Sequence, residues 1–220
     1  MDKASQVRWV CNALYKQYGS SRLGNPKNVL DDLVFIILSN KTSAKTSKKV
    51  YKKLKATYST WLKLVQSDSR QLRRLIKEAG LSTKKSKQIK ASLRAIYRDF
   101  GKKYNQQLMK MSNEELENYL ESLSGVSTKV AKCVMLFTLG REVLPVDVHV
   151  HRITKRLGWI KQKRADQSHT ILEDLVPPSM RYSFHVDCIM HGRTLCKPQN
   201  PLCSRCPINR FCEFNKRHIQ

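Results

Sequence analysis

LSGVSTKVAKCVMLFTLGREVLPVD, residues 123–147, places a short polar turn between two segments that have the hydrophobic spacing of α-helices. The first segment covers residues 113–123, and the second begins at Thr128. The apolar positions are Leu116, Tyr119, Leu120 and Leu123 before the turn and Val130, Val134 and Phe137 after it. The stretch predicts a helical hairpin, because two helices joined by so tight a turn must lie side by side.

The turn, residues 124–127, has the composition of a phosphate-binding site. Gly125 can adopt a positive φ without steric cost. The first N–H groups of a helix have no intrahelical partner and carry the positive end of the helix dipole. Such a turn can bind a phosphate through its backbone alone, with Gly125 and Ser127 as the candidate contacts. The alternative is an ordinary αα-hairpin that only packs a core.

Two side chains near the hairpin indicate chemistry. Lys129 lies in the first turn of the second helix, where the helix dipole and neighbouring cations favour its uncharged form. Asp147 follows 18 positions later, after Pro145 and Val146, at the predicted N-cap of another helix. An amine nucleophile and a carboxylate held by backbone donors suit chemistry on a nucleic-acid sugar. Taken separately, Lys129 has the alternative interpretation of a solvated lysine, and Asp147 that of a plain cap.

The composition favours a polyanionic partner. The 220 residues carry 42 Lys and Arg against 17 Asp and Glu, a formal net charge of +25. Nucleic acid is the commonest reason for such an excess, although solubility or a membrane surface would also use it. The sequence has no run of about 18 apolar residues and no apolar signal segment near residue 1. We therefore expect an intracellular protein that does not span a membrane.

The rest of the chain reads as helix after helix, with no convincing period-2 strand pattern. We therefore predict an all-α fold. The predicted helices outside the hairpin cover residues 7–18, 30–38, 60–66, 69–79 and 84–100, and a further helix follows Asp147.

Two polar segments between helices are candidate DNA contacts. Residues 39–43, with Ser39 and Lys41, form either a plain loop or a surface that faces the partner. The lysines that follow line a groove for phosphates or form a solvated face: Lys45, Lys48, Lys49, Lys52 and Lys53. Leu81 lies at the tip of a second loop, just before three more lysines, Lys84, Lys85 and Lys87. An apolar residue there is either a wedge for a base stack or a hydrophobic staple for the next helix.

The C-terminal cysteines carry the most specific signal. A C-x6-C-x2-C-x5-C spacing falls within 17 residues and is formed by Cys196, Cys203, Cys206 and Cys212. One close pair with two longer arms suits the corners of a [4Fe–4S] cluster, which takes four Cys ligands. Zinc usually takes two close pairs at wider separation, and disulfides are rare in a reducing compartment. The other cysteines lie on apolar helical faces and are predicted core residues: Cys11, Cys133 and Cys188.

Three of these features together resemble the endonuclease III family of helix-hairpin-helix DNA glycosylases. They are the hairpin LSGVSTKVA, Asp147 at its distance from Lys129, and the four-cysteine loop. The similarity extends from Val7 to Phe214. It implies two helical domains that flank a DNA-binding cleft, with a C-terminal [4Fe–4S] cluster loop.

The resemblance also implies domain boundaries. A six-helix domain with the hairpin would cover residues 22–141. Residues 1–21 would join residues 142–220 in the other domain, which carries the cluster loop at 196–212. The implied partner is double-stranded DNA that contains a damaged base or an abasic site, bound by a monomer.

By position, the resemblance assigns catalytic roles to Lys129 and Asp147. Lys129 would attack C1′ of the damaged nucleotide and form a Schiff base, and Asp147 would stabilise charge on the sugar. Leu81 matches the family's wedge, and Lys41 occupies the place of its gap-filling glutamine. His149 matches a histidine of the family and is a further predicted DNA contact.

The chain departs from the family pattern at three positions. Lys41 replaces the glutamine, Ser127 replaces the second hairpin glycine, and Val148 replaces the threonine that usually follows the aspartate. Lys41 and Val148 bear on the choice of base, because they stand where the flipped base and its orphaned partner would lie.

The leading hypothesis is a bifunctional DNA glycosylase and AP lyase of base excision repair, acting on an oxidised pyrimidine. One alternative is a glycosylase for another base, methylated cytosine or mismatched thymine. A second is a non-catalytic iron–sulfur protein that binds distorted DNA, and a third is a monofunctional glycosylase in which Lys129 serves only structure.

Overall fold

A computed structural model describes residues 2–20, 23 and 25–218 of the chain. Across these residues the secondary structure consists of helices and turns without a β-strand, so the all-α prediction is confirmed. The α-helices are α1 (Lys3–Tyr18), α2 (Val29–Ser39), α3 (Ala44–Thr57), α4 (Trp61–Gln66), α5 (Ser69–Leu75), α6 (Ser82–Phe100), α7 (Tyr104–Lys110), α8 (Asn113–Ser122), α9 (Thr128–Phe137), α10 (Val148–Arg156), α11 (His169–Leu175), α12 (Arg181–Thr194) and α13 (Glu213–His218). None of these described helices is both long and apolar enough to span a membrane.

The chain divides into two compact units. The continuous unit covers residues 25–141 and contains α2 to α9. The split unit combines residues 1–24 with residues 142–220 and contains α1 and α10 to α13. The domain boundary predicted between residues 21 and 22 lies outside the described residues.

α2 is the centre of the continuous unit. Asn28 caps the helix, because its side-chain oxygen accepts hydrogen bonds from the backbone N–H groups of Leu30 and Asp31 at 3.0 and 3.3 Å. Apart from Asp31, every residue from 29 to 38 is buried, because α2 packs against α3, α6 and α9. Burial on all sides explains why its apolar run is nearly continuous.

The lysine-rich segment after Ser43 is a helix, α3, which the sequence pattern does not predict. Ser43 caps it by accepting a hydrogen bond from the backbone N–H of Thr46 at 3.1 Å. Val50 and Leu54 are fully buried, while the lysines of the helix are exposed. The apolar face is only these few residues wide, so the lysines dominate the pattern.

The predicted helix over residues 69–79 is wrong in its second half. α5 ends at Leu75, and a 3₁₀ segment over Lys77–Ala79 follows it. The tighter winding accompanies a hydrogen bond from the N–H of Ala79 to the carbonyl of Ile76 at 2.9 Å. Ile76 is fully buried and Ala79 is 2% exposed, so the residues at both ends of this hydrogen-bonded turn pack into the core.

The split unit is built around α12, which packs against α1 on one side and α10 on another. Residues 184–189 are buried without interruption. Gly192 allows α10 to approach closely, since a Cβ at this position would lie 2.4 Å from Nδ1 of His149. The prediction of three core cysteines is confirmed, because all are at most 3% exposed: Cys11, Cys133 and Cys188.

Candidate functional site

The predicted hairpin is present in the continuous unit. α8 ends at Ser122 and α9 begins at Thr128, and the two helices pack against each other. Gly125 has a φ of +80°, so its predicted positive φ is confirmed. Ser127 is the N-cap of α9, and its side chain forms no capping hydrogen bond among the described residues. Gly125 and Ser127 are both exposed, and phosphate binding by this turn stays a prediction.

Two side chains of α6 contact the hairpin turn. Ser92 donates a hydrogen bond from its hydroxyl to the carbonyl of Ser124 at 3.0 Å. A Cβ at Gly125 would lie 2.1 Å from Nε2 of Gln88. Gly125 is therefore required by the backbone conformation and is also favoured by the close packing of Gln88.

Lys129 is the second residue of α9 and is half-buried. The same unit holds a buried carboxylate that the sequence pattern does not indicate, Asp32, which is 0% exposed. Asp32 accepts hydrogen bonds from Nδ2 of Asn25 at 2.7 Å and from the hydroxyl of Thr138 at 2.8 Å. Burial raises the pKa of Asp32 to about 7, against the opposing effects of these hydrogen bonds and of the positive charge on Lys129.

The two predicted DNA-contact loops also lie in the continuous unit. Ser39 is half-buried and donates a hydrogen bond to the carbonyl of Ile36 at 2.8 Å. Lys41 is exposed and has a φ of +54°. Leu81 is 56% exposed with a φ of +48°. This exposure does not fit a hydrophobic staple, whose side chain would be buried.

One lysine near Leu81 differs from its prediction. Lys85 belongs to a run that predicts a basic loop, yet it is only 2% exposed. Lys84 and Lys87, on either side of it, are exposed as expected.

Asp147 is the N-cap of α10 in the split unit, as predicted. Its Oδ1 atom accepts hydrogen bonds from the backbone N–H groups of His149 at 2.9 Å and Val150 at 2.8 Å. The His149 ring instead faces Arg152, whose Nη2 lies 3.1 Å from Nδ1. Burial lowers the pKa of His149, so the imidazole is a neutral group beside the carboxylate. Val148 is 68% exposed.

Buried side chains hold the segment that leads to Asp147. His185 on α12 hydrogen-bonds through Nδ1 to the carbonyl of Pro145 at 2.8 Å. His169 on α11 does the same to the carbonyl of Leu144 at 3.2 Å. The carboxylate of Glu173 accepts a hydrogen bond from the N–H of Leu144 at 2.6 Å. These contacts fix the backbone on which Asp147 is presented.

The four C-terminal cysteines converge. A pocket that is open to solvent is lined by Cys196, Cys203, Cys206 and Cys212, with Arg156 and Phe214 beside them. All four are unbridged thiols, so the disulfide alternative is wrong. Burial raises the pKa of Cys206 to about 12, so only a bound cation would keep it as a thiolate. Four sulfur donors around one pocket fit a [4Fe–4S] cluster.

Two arginines of α10 hold the cysteine loop. Arg156 donates to Sγ of Cys196 at 3.1 Å and to the carbonyls of Lys197 and Pro198 at 2.8 and 3.0 Å. Arg152 donates to the carbonyl of Cys196 at 3.0 Å. Both residues lie on the helix that Asp147 caps, and the sequence indicates them only as two arginines four positions apart.

His191 on α12 is a further residue that contacts the cysteine loop and that sequence reasoning misses. Its Nε2 lies 3.5 Å from Sγ of Cys206, and its Nδ1 lies 2.9 Å from the hydroxyl of Tyr18. Burial lowers the pKa of His191 to about 4, which keeps the ring neutral. The contact depends on the packing of α1 against α12, which no local pattern reveals.

The predicted site residues fall into two sets. The continuous unit holds Ser39, Lys41, Leu81, Gly125, Ser127 and Lys129. The split unit holds Asp147, His149 and the four cysteines of the loop. Each set is locally ordered by its own hydrogen bonds, and the joint action of Lys129 and Asp147 stays a prediction.

Residues 34–178 match the family described as HhH-GPD superfamily base excision DNA repair protein. Residues 196–212 match the iron-sulfur binding domain of endonuclease III. The second match spans all four cysteines, so the predicted [4Fe–4S] cluster is confirmed.

Endonuclease III of Thermotoga maritima is 33% identical over 185 residues, which are 84% of this chain and 83% of the relative. A non-covalent endonuclease III–DNA complex matches with a TM-score of 0.84 and 26% identity, covering 100% of this chain and 99% of the other. A trapped endonuclease III–DNA covalent intermediate matches with a TM-score of 0.85 at the same 26% identity, with both chains fully covered at 100%. The chain belongs to the HhH-GPD superfamily of base excision DNA repair proteins and, within it, to the endonuclease III family of iron–sulfur DNA glycosylases.

Proposed function

We propose that this DNA glycosylase is bifunctional, removing a damaged base and then cleaving the abasic site as an AP lyase. The observation that carries the proposal is Lys129, a half-buried amine in the first turn of α9, directly after the exposed Gly125 turn. The similarity to a solved structure described as a trapped covalent intermediate supports a covalent mechanism.

The proposed reaction begins with the damaged nucleotide rotated out of the duplex, because C1′ is shielded inside the stack. Lys129, as the neutral amine, attacks C1′ while the bond from C1′ to the base breaks and the base leaves with the bonding electrons. One proton of the amine passes to the departing base and the other to O4′ as the sugar ring opens, which leaves the Schiff base C1′=N. Loss of a proton from C2′ then expels the 3′ phosphate oxygen, and water hydrolyses the imine to release Lys129.

Asp147 stabilises the positive charge that develops on the sugar as the base leaves. Both backbone bonds to Asp147 use Oδ1, so we assign the second carboxylate oxygen to the sugar. The capping bonds fix the orientation of the carboxylate.

The remaining predicted contacts bind and deform the DNA. The Gly125 turn binds a backbone phosphate through N–H groups at the start of α9. Leu81 enters the base stack as the wedge, and Lys41 reaches toward the orphaned base. The bound cluster orders residues 196–212, which carry Lys197, Arg205 and Arg210 near the phosphates, and takes no part in bond making.

Borohydride trapping tests the covalent step. The protein is incubated with a duplex that holds one abasic site, and borohydride reduces any Schiff base to a stable adduct. We expect an adduct with the wild type and none above background with Lys129→Ala, whereas the exposed-lysine control Lys103→Ala forms it at the wild-type rate. No adduct with the wild type, or an undiminished rate with Lys129→Ala, would refute the lyase mechanism.

The proposed preferred substrate is an oxidised pyrimidine. Lys41 and the exposed Val148 depart from the family pattern at positions that bear on the choice of base, so a second candidate substrate is methylated cytosine or mismatched thymine. A panel of duplexes, each with one modified base, separates the two. Faster release of methylated cytosine or mismatched thymine than of the oxidised pyrimidine would refute the oxidised pyrimidine as the preferred substrate. In that case we expect Lys41→Gln to increase activity on the oxidised pyrimidine relative to the other two bases.

A further inference from the structure

A buried lysine lies between the two loops that carry Lys41 and Leu81. Lys85 is 2% exposed, and its ammonium group donates three hydrogen bonds. The acceptors are the carbonyl of Leu38 at 2.7 Å, the hydroxyl of Thr42 at 2.7 Å and the carbonyl of Ala79 at 2.8 Å. An ammonium group has three N–H bonds, so these acceptors satisfy it completely.

None of the three acceptors is a carboxylate, and burial lowers the pKa of Lys85. An apolar side chain of similar length would fill the same space without the cost of removing an ammonium group from water. Leu38 lies in the last turn of α2 and Ala79 ends a 3₁₀ segment, so both carbonyls belong to helix ends that attract a cation. The arrangement joins the end of α2 to the end of the 3₁₀ segment.

The same hydrogen-bond network reaches both loops directly. Thr42 also donates from its hydroxyl to the carbonyl of Ala79 at 2.5 Å, and its N–H bonds the carbonyl of Ser39 at 3.0 Å. The N–H of Lys85 bonds the carbonyl of Leu81 at 2.9 Å. Lys85 therefore holds the chain on both sides of residues 80 and 81, while Thr42 ties this loop to residues 39–43.

The residues at the loop tips are in a strained conformation. Lys41 and Leu81 have φ values of +54° and +48°, in the left-handed region that side chains other than glycine rarely adopt. Such a conformation persists only where the surroundings enforce it. The Lys85 network supplies this restraint for both tips at once.

We propose that Lys85 and Thr42 are positioning residues that clamp the Lys41 loop and the Leu81 loop into one preformed unit, so that both tips enter a DNA lesion together. This inference rests on the proposed roles of Lys41 and Leu81 as DNA contacts. The clamp keeps the loops ordered before binding. The conformational entropy lost in ordering them therefore does not weaken the affinity for the lesion.

The matched pair Thr42→Val and Thr42→Ser tests the clamp. Val has the shape of Thr without the hydroxyl, and Ser retains the hydroxyl. Dissociation constants are measured for a duplex with a tetrahydrofuran abasic-site analogue and for the same duplex without it. We expect Thr42→Val to lose about tenfold in preference for the analogue, with unchanged affinity for the intact duplex, and Thr42→Ser to keep the wild-type preference.

A double-mutant cycle tests whether the loops act together. Lys41→Ala and Leu81→Ala are combined in the wild type and in Thr42→Val, and the analogue affinity is measured for each. We expect non-additive losses in the wild type and additive losses in Thr42→Val. If Thr42 only stabilised the fold, Thr42→Val would lower stability without changing the coupling between Lys41 and Leu81. Lys85→Met should reproduce the Thr42→Val result if it remains folded by thermal melting.

Three outcomes would overturn the clamp: an unchanged preference in Thr42→Val, an equal loss of affinity for both duplexes, or equal coupling in both backgrounds. These outcomes are independent of the lyase proposal, because the analogue cannot form a Schiff base. A wild type that prefers the analogue duplex but gives no borohydride adduct refutes the lyase chemistry alone.

Discussion

Asp32 is the residue whose chemistry is least expected from its surroundings, since it is a fully buried carboxylate on the most apolar helix of the continuous unit. Its pKa rises from an ordinary value of 3.8 to about 7 in the folded protein because of burial. The folded state therefore binds a proton more tightly than the unfolded state. The resulting stabilisation is complete below pH 3.8 and is lost as the pH rises through about 7.

We expect Asp32→Asn to gain stability relative to the wild type as the pH increases. The Asn amide can keep the bond from Asn25 and donate to the hydroxyl of Thr138, and it never ionises. Between pH 5 and pH 8 the melting temperature of the variant should rise by roughly 5 °C relative to the wild type. Calorimetry at both pH values measures this, with the exposed Asp174→Asn as the control. A difference that does not change with pH would contradict a proton on Asp32.

A comparison of Gly125→Ala with a second glycine variant distinguishes loss of stability through backbone strain from loss of affinity for DNA. The natural control is Gly140→Ala, because Gly140 has a φ of +64°, against +80° for Gly125, and a Cβ added at Gly140 would meet no atom within 4 Å. We expect Gly140→Ala to lower the free energy of unfolding by about 1 kcal/mol, and Gly125→Ala to lower it by more, because the Gln88 side chain must also move. Only Gly125→Ala should weaken duplex binding, by roughly tenfold, because it displaces the N–H groups that meet the phosphate.

Denaturant unfolding and fluorescence titration with one duplex supply the two measurements. Equal DNA affinities for the two glycine variants would argue that the turn serves packing alone, as an ordinary αα-hairpin does.

At the scale of single residues, the sequence predicts those whose role depends on local order. Gly125, Lys129 and Asp147 stand beside a turn or a helix start that their neighbours define. Lys85 and Asp32 could not be predicted, because their burial arises only when segments far apart in the chain fold together. In the sequence, Lys85 is one lysine in a run of lysines.

At the scale of elements, α10 connects two functional parts of the split unit, the Asp147 carboxylate and the cysteine loop. Asp147 caps its first turn, and Arg156 in its last turn binds the cysteine loop. The guanidinium of Arg156 also lies 4.5 Å from the centre of the Phe214 ring on α13. The helix therefore positions a proposed catalytic carboxylate and the cluster loop as one rigid piece.

Arg156→Met should weaken cluster retention while leaving the helix intact. The Met side chain has a similar length, but it removes the cation–π contact with Phe214 and the bonds to Sγ of Cys196 and to the loop carbonyls. We expect about a tenfold loss in cluster affinity, since residues that bond a metal ligand typically contribute that much. The decay of absorbance near 400 nm under a chelator measures it, and Lys155→Met, an exposed neighbour, is the control.

If both variants lose the cluster at the wild-type rate, the bond to Cys196 has no role in holding the cluster.

The helices that the sequence predicts best have one apolar face and one polar face. α3 is missed because lysines surround a narrow buried stripe, and the break after α5 is missed because Ile76 and Ala79 continue the helical spacing through it. α12 carries no clear stripe, since α1 and α10 cover it from different directions. In each case neighbouring elements, absent from the local pattern, decide the structure.

At the scale of the whole molecule, cluster removal should affect one unit more than the other. The pocket is lined by Arg156 of α10 and by Phe214 and Asn215 of α13, all in the split unit. We expect oxidation followed by chelation to increase hydrogen exchange in α10, α13 and residues 196–212. Exchange in α2, within its own core, should stay at the level of the intact protein. Hydrogen exchange with mass spectrometry tests this, and equal deprotection of α2 would show that the units unfold together.

The split unit also imposes an order on synthesis. α1 leaves the ribosome first, yet the helix it packs against, α12, begins only at Arg181. At about 5–20 residues per second, α1 waits on the order of ten seconds or more with its apolar face uncovered. All of residues 25–141 are synthesised within that interval. The cysteines of residues 196–212 follow α12 in the chain, so the cluster can form only after both of the helices that pack together, α1 and α12, have been made.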